Sequence, residues 1–600
     1  MSLRSSAKSS VRFSASPAAM GLAESPAAIG RGDDLIVGDA ASPAALQRLE
    51  GAIAELKALT VEPLLRRAVA ALRSEDAQGA SEWALKALNQ DARAGMAWYV
   101  LAVAREKACD FTSSLQAYES ALALLTDQSE VANDLGRLAS RMGMKGVAEQ
   151  LFRRYLETHP VSIEAVNNLA CTIKDQGRWA DAIEVLKPAI KASPDNPLLW
   201  NTLGAVLCDQ GELATSITFF EEAMRLDPRL AKARYNRGNA RMALGELNGA
   251  LADCEAAMAE APAEDERLMM QLARSNIQLC RGRIGEGWDD YEARLNPRFT
   301  LVTHFLIHRP RWTPKTDLRG KTLLLMGEQG LGDEVLFANI LPDVLEALGP
   351  DGKLVLAVEP RLVSLVQRSY PSVEVGAHAT YEVNGQTVRG AAFIEPRLEE
   401  IDLWAPIASL LRRFRRSLED FPERERFLVP DPARVKHWRR VLAEAPAGRK
   451  VGILWKSLKL TGARSRHFSP FHLWAPVLKT PGISFVNIQY GDCAEELELA
   501  RRELGVEIWQ PPGIDLKNDL DDVAALTCAL DLTIGFANAT SNIAAACGAP
   551  TWIISAPGAW TRLGTDRMPW YPQARIFLPP AFGEWAPTLN DVAAALAETA

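Results

Sequence analysis

No run of eighteen apolar residues occurs anywhere in the 600-residue chain, so no helix is expected to cross a membrane. Positive charge is scarce: 67 Lys and Arg against 75 Asp and Glu leave a formal net charge of −8. Nucleic-acid-binding domains are usually basic, so nucleic acid is not an expected partner. A local basic pocket for a phosphate is compatible with that sum. The eight cysteines include no CxxC pair, and no Cys/His cluster has zinc spacing. Most lie within apolar helical patterns and read as buried thiols, which fits a reducing cytoplasm. The first ~40 residues lack a continuous apolar segment. They are rich in Ser, Ala and Gly, and Arg4, Lys8 and Arg12 among the serines faintly resemble a transit peptide; the expectation is a disordered tail over residues 1–45.

What the chain has is repetition. Gly143, Gly177, Gly211 and Gly245 lie 34 residues apart, and so do Pro160, Pro194, Pro228 and Pro262. Two small-residue columns share that period: Gly136, Ala170, Gly204, Gly238 and Ala148, Ala182, Ser216, Ala250. The first glycine column falls between two apolar helical patterns, where a left-handed turn is needed. The small residues let antiparallel helices approach closely, and the prolines end the second helix. Helix pairs of this length and period resemble tetratricopeptide repeats (TPRs), expected over 46–297 and clearest over 95–264. Such arrays present a concave binding face. Two polar columns on the first helix of each pair, Asp134, Asn168, Thr202, Asn236 and Asn133, Asn167, Asn201, are the candidate acceptor-binding residues, because amide side chains both donate to and accept from a peptide backbone.

The pattern changes near residue 298. Apolar runs at 321–326, 353–358, 450–455, 483–489, 530–535 and 549–555 alternate with helical stretches, which implies βαβ units. A polar segment, 420–448, separates an expected first lobe, 298–430, from a second, 431–600. Ligands usually bind between such lobes.

Three loops carry the candidate chemistry. Gly327–Glu334 follows a strand and opens a helix; its Gly330 and Gly332 suit an anion, and Asp333, or failing it Glu334, is the candidate catalytic base. It lacks both the G-x-G-x-x-G spacing and the Gly-Lys-Ser/Thr of a Walker loop. Lys456, Arg464 and Arg466 follow the first strand of the second lobe and suit a leaving phosphate. Asn538, Ala539, Thr540, Ser541 and Asn542 stand ahead of a helix read at 543–547, at the carboxyl end of a strand where open sheets bind ligands. Gln489, ending another strand, joins them as a donor-binding candidate.

With these motifs the chain resembles a family: bacterial proteins that join TPRs to a GT-B glycosyltransferase domain related to heptosyltransferases, among them the alphaproteobacterial flagellin glycosyltransferases. The matching segments are 287–294, Arg311-Trp312, 327–334, 451–455, 485–489, 521–531, 544–552 and Trp570-Tyr571-Pro572. The resemblance implies a helical TPR solenoid followed by an α/β GT-B domain of two Rossmann-like lobes. It implies transfer of a nonulosonic sugar, pseudaminic acid, from a nucleotide-activated donor, CMP-linked donors among the candidates, to Ser or Thr of flagellin held by the repeats. It also implies no metal and no further cofactor; Asp519-Leu520-Asp521 formally matches a DxD metal motif but reads as a solvated helix cap. Such proteins usually carry Asp-Thr and then His around the third loop, where this chain has Ala537-Asn538 and Asn542. A changed donor or an inactive domain each accounts for that departure. The rival readings are a TPR scaffold with a degenerate sugar domain, and an envelope glycosyltransferase. The latter needs a membrane face, for which Arg412-Arg413-Phe414-Arg415-Arg416 is the candidate, read instead as a solvated helix end.

Overall fold

The computed structural model describes residues 59–299, 301–383, 386–457 and 467–599. The expected tail, 1–45, and two candidate cations, Arg464 and Arg466, lie outside the described residues. The chain divides into two compact units, 1–63 and 64–600. The second unit holds the repeat helices from Ala77 onward and all the described strands.

Antiparallel helix pairs run from Ala77–Gln90 to Ile284–Tyr291. First helices begin at Gly95, Ser129, Ile163, Pro197 and Ala231, and second helices at Phe111, Lys145, Trp179, Leu213 and Leu247, each set in steps of 34. The close-approach columns behave as their size requires. Ala148, Ala182, Ser216 and Ala250 are fully buried. A Cβ on Gly136 or Gly204 would stand 2.9 Å from the Phe152 ring or 2.6 Å from Phe220.

The turn column reaches further than its glycines. Gly143, Gly177, Gly211 and Gly245 all have positive φ, 77 to 104°, and so do Cys109 (61°) and Glu75 (62°), one and two periods upstream. The repeat therefore continues into 75–124, where non-glycine residues hold the left-handed turn at a cost of about 1 kcal/mol each. Cys109 is a half-buried turn residue, not a thiol inside a helix.

Beyond the repeats the chain becomes α/β. Strands β2 (Thr322–Met326), β3 (Lys353–Val358), β4 (Glu374–Ala377) and β7 (Leu403–Pro406) form a parallel sheet in the order β4-β3-β2-β7. Strands β8 (Arg449–Leu454), β9 (Ile483–Asn487), β10 (Leu532–Phe536), β11 (Thr551–Ile554) and β12 (Arg575–Phe577) form a second, also parallel, in the order β12-β11-β10-β8-β9. Their near-continuous apolar runs are buried on both faces, as parallel strands require. A small third sheet, β1-β6-β5, joins β1 (Thr303–Phe305), β6 (Gln386–Gly390) and β5 (Ala379–Val383).

The segment 420–448 is more than a polar separator. Phe421, Phe427 and Leu428 enter the core of the first sheet region, and Pro432–Leu442 is a helix capped by Asp431.

The solenoid is built into the α/β region. Trp288, Trp560 and Trp570 meet edge-on with ring centroids 5.8 to 6.3 Å apart, and the Trp288 Nε1–H donates to the Arg415 carbonyl at 2.9 Å. A Cβ on Gly558 would lie 2.9 Å from the Met242 carbonyl oxygen, so only glycine lets that loop touch the repeat backbone. Part of the arginine cluster serves this junction, while Arg413 and Arg416 stay exposed to solvent. Arg412 and Arg416 pair with Asp289. Arg415 is buried and bound to Asn339 and Asp343.

Candidate functional site

Each large sheet has one point where its strand order reverses. In the first it lies between β2 and β7, and in the second between β8 and β10. Parallel sheets bind ligands at such points, outside the carboxyl ends of the strands. Gly327–Asp333 leaves the end of β2, Trp455–Ser457 leaves β8, and Ala537-Asn538 leaves β10. The two reversal points meet at a cleft of about 530 Å³.

Gly330, Gly332 and Asp333 line the cleft from the first lobe, and Asn538, Ala539, Thr540 and Asn542 from the second. The two walls also touch: the helices Leu331–Phe337 and Ala539–Ala546 pack together, and Asn542 Nδ2 donates to the Gly332 carbonyl at 3.0 Å. Asp333 is half-buried, its carboxylate accepting the Gly330 N–H at 3.1 Å, closing the first turn of its helix.

The third loop is the first turn of a helix. That helix starts at Ala539, not at 543, because Asn538 caps it: its Oδ1 accepts from the Thr540 and Ser541 amides at 2.9 and 3.2 Å. Ser541 is fully buried; its hydroxyl donates to the Phe536 carbonyl and accepts the Asn538 N–H. It shapes the turn and does not face a ligand.

Three further candidates are placed away from the cleft surface. Glu334 is buried under the Gly-rich loop, accepting from the Glu359 N–H at 2.8 Å and meeting His378 Nε2 at 2.8 Å, with Arg389 at 3.6 Å. Arg389 in turn donates to the Gly327 carbonyl at 2.6 Å, and burial pulls its pKa down. Glu334 is thus a strut of the loop rather than a base in the cleft. Gln489 is buried, its Oε1 accepting from the Trp455 and Lys456 amides at 2.9 Å each, so it fixes the second loop. Lys456 itself pairs with Glu496.

Among the described residues, the cations facing the cleft are Arg361 and Lys517, which sequence reading missed. They stand on loops with no motif, 156 residues apart, and meet only through the fold, where Arg361 Nη1 donates to the Lys517 carbonyl at 2.8 Å. Tyr490, Trp560 and Thr561 complete the aromatic and hydroxyl lining. The acidic triplet is engaged by protein groups. Asp519 caps the helix Leu520–Ala529, while Asp521 is buried in a two-pronged pair with Arg368 of the first lobe, at 2.8 and 2.9 Å; it is not solvated. Among the described residues no group of His, Cys, Asp and Glu has the makings of a metal site, and no helix is long and apolar enough to cross a membrane.

The polar columns of the solenoid bond to one another. Side chains 35 residues apart pair from one repeat to the next: Tyr99 donates to Asp134 at 2.7 Å, Thr202 to Asn167, and Asn236 to Asn201 at 2.9 Å. Asn167 also donates to Asn168 at 3.3 Å. Asn201 and Thr202 are buried, whereas Asn133, Asp134, Asn167, Asn168 and Asn236 are half-buried. Part of the columns' hydrogen-bonding capacity is therefore used between repeats, and only the remainder faces outward.

Chemically, the cleft places a carboxylate at a glycine-rich turn opposite an Asn-capped helix start, with two cations beside it. This is a TPR protein whose solenoid leads into an α/β region of parallel sheets. Models of the tetratricopeptide repeat match residues 133–197 and of the TPR repeat residues 204–245. The chain belongs to the family of Protein FlbA of Caulobacter vibrioides, to which it is 53% identical over 564 residues, 94% of each chain. Over the repeats alone it is similar to mouse tetratricopeptide repeat protein 21A, 29% identical over 20% of this chain and 9% of that protein. Among solved structures, a TPR protein from Parabacteroides merdae is 16% identical, covering 39% of this chain and 91% of its own, with a TM-score of 0.36.

Proposed function

We propose that the chain is a protein O-glycosyltransferase of GT-B architecture. It moves a sugar, a nonulosonic acid such as pseudaminic acid, from a nucleotide-activated donor to Ser or Thr of flagellin held by the TPR solenoid. The observation that carries this reading is the convergence of two strand-order reversals on one cleft, with Asp333 on one wall and the Asn538-capped helix on the other. A donor diphosphate or phosphate in that cleft meets Lys517, the glycine-rich turn and Arg361, whose Nε is already paired with Glu359 at 2.8 Å, and these offset the leaving group's charge. Asp333 accepts the proton of the acceptor hydroxyl, a step worth about 10²–10⁴-fold. The flagellar direction is supported by membership of the FlbA family. The experiment is intact-mass analysis of flagellin from cells with and without the protein: a sugar-sized mass lost on deletion supports the reading, and an unchanged mass refutes it.

A second reading has its own observation. Ser541, Gln489 and Lys456 are spent on internal bonds, as in a scaffold whose sugar domain has become structural. Calorimetry with CMP-, UDP-, GDP- and ADP-sugars separates the two, because a scaffold binds none.

A further inference from the structure

A second cavity, about 310 Å³, lies where the solenoid ends. Its walls include Leu272 and Asn276 of the last long repeat helix, Phe299 and Leu301 of the connecting segment, Thr303 of β1, and Gln329. It shares a wall with the cleft. Glu328 and Gln329 line this cavity, while the next residues of the same turn, Gly330 to Asp333, line the cleft.

Resting on the glycosyltransferase reading, we infer that this cavity is the acceptor subsite, which takes an extended, uncharged stretch of polypeptide beside the hydroxyl to be modified. Four features support a polypeptide. First, the charges in its wall, Arg294 and Glu328, are already joined at 2.8 Å on both prongs, so the cavity has no net charge to offer a phosphate or a nucleotide. Second, amide and hydroxyl groups at Asn276, Thr303 and Gln329 line the cavity together with apolar surface at Leu272, Phe299 and Leu301, the mixture a peptide backbone with small or apolar side chains needs. Leu301 is 79% exposed, an apolar surface left open to solvent. Third, β1 is paired with β6 on one side only, and such an edge is where an extended chain can add its own hydrogen bonds. Fourth, Gln329 is exposed and held at a φ of 61°, a strained conformation for a non-glycine residue of the kind kept at ligand-contacting turns. Glu328 before it is clamped by Arg294 and by the Ala408 N–H, and Gly330 after it by Asp333. A chain seated here runs from the end of the solenoid to the turn that carries Asp333. A small molecule bound in the cleft alone would need none of these features.

The test uses the full chain with Leu301→p-benzoylphenylalanine, irradiated with flagellin from the same organism, and the same probe at Val161, which is 85% exposed on the solenoid, as the control. A crosslink from position 301 that maps to a flagellin segment flanking a modified Ser or Thr is expected, well above the yield at 161. Alongside it, Leu301→Asp is expected to raise the KM for flagellin about tenfold, a change of about 1.4 kcal/mol in acceptor affinity. If the wild-type protein transfers sugar but position 301 gives no flagellin crosslink and Leu301→Asp leaves KM unchanged, the subsite is wrong while the glycosyltransferase reading stands. If no transfer occurs yet flagellin crosslinks at 301, the enzyme reading falls and the cavity remains a polypeptide site. Absence of both refutes both.

Discussion

The guanidinium of Arg294 grips the carboxylate of Glu328 with two hydrogen bonds of 2.8 Å, and both side chains are buried. One residue closes the solenoid; the other begins the turn that carries Asp333. Arg294 also donates to the Tyr291 carbonyl and to Glu292, and lies over the Tyr291 ring at 4.2 Å. The arm and the candidate base are therefore coupled through one buried ion pair.

Removing one partner of such a pair strands the other's charge. Arg294→Met should destabilise the protein by about 3–5 kcal/mol. Glu328→Gln, which keeps hydrogen-bonding capacity, should cost less. Chemical denaturation of the two variants checks the order.

The turn column predicts substitutions of opposite sign. Cys109→Gly should stabilise the repeats by roughly 1 kcal/mol, because glycine adopts positive φ without the Cβ clash. Gly143→Ala should destabilise them by a similar amount. Nothing lies within 4 Å of a Cβ built on Gly143, so that effect is one of backbone conformation. Thermal melts of both variants decide it.

The junction between solenoid and α/β region should weaken in acid. Burial alone would push the carboxyl groups of Asp289, Glu292 and Asp343 up. Hydrogen bonds and charge from Arg416 and Arg412, from Arg294, Ser409 and Arg311, and from Arg424 and Arg415 outweigh it and hold all three below their usual range. A depressed folded-state pKa gives stabilisation that is full above the unfolded value, about 4 for these side chains, and is lost as pH falls through the folded one. Stability should thus be level from neutral pH to about 5 and decline below about 4. A denaturation series across that range, with Asp343→Asn reducing the slope, measures it.

Asp333→Asn should lower the rate of sugar transfer by about 10²–10⁴-fold while flagellin binding persists. The amide oxygen can still accept the Gly330 N–H, so the turn is kept. Transfer at the wild-type rate would remove Asp333 from the mechanism.

Much of this architecture can be read from the residues, for physical reasons. A 34-residue period repeats its glycine and small-residue demands, so the pattern survives local noise, and buried parallel strands such as β2 and β10 show as unbroken apolar runs. The upstream repeats, expected from residue 46 on, are fainter in sequence because Glu75 and Cys109 occupy turns where glycine is the signal. Strands β1, β5 and β6 hid because they are short and mostly half-exposed or exposed, only the last two residues of β6 being buried, with pairing partners up to 84 residues away. In the cleft, the glycine-rich turn and the Asn538 cap are local and legible. Arg361 and Lys517 are not, since only tertiary folding joins them. Glu334, Gln489 and Ser541 share one lesson: a polar residue beside a turn of this kind can be held in internal bonds, and its sequence looks the same in either role.

Whether the cleft transfers a sugar to flagellin is tested most directly with purified protein, unmodified flagellin and CMP-pseudaminic acid, followed by intact-mass spectrometry. Flagellin is expected to gain the mass of one or more sugar residues, with release of the nucleotide, and to gain it far more slowly with Asp333→Asn. Flagellin that keeps its mass, with this donor and with other nucleotide-activated sugars, while still binding the solenoid would contradict the proposed function.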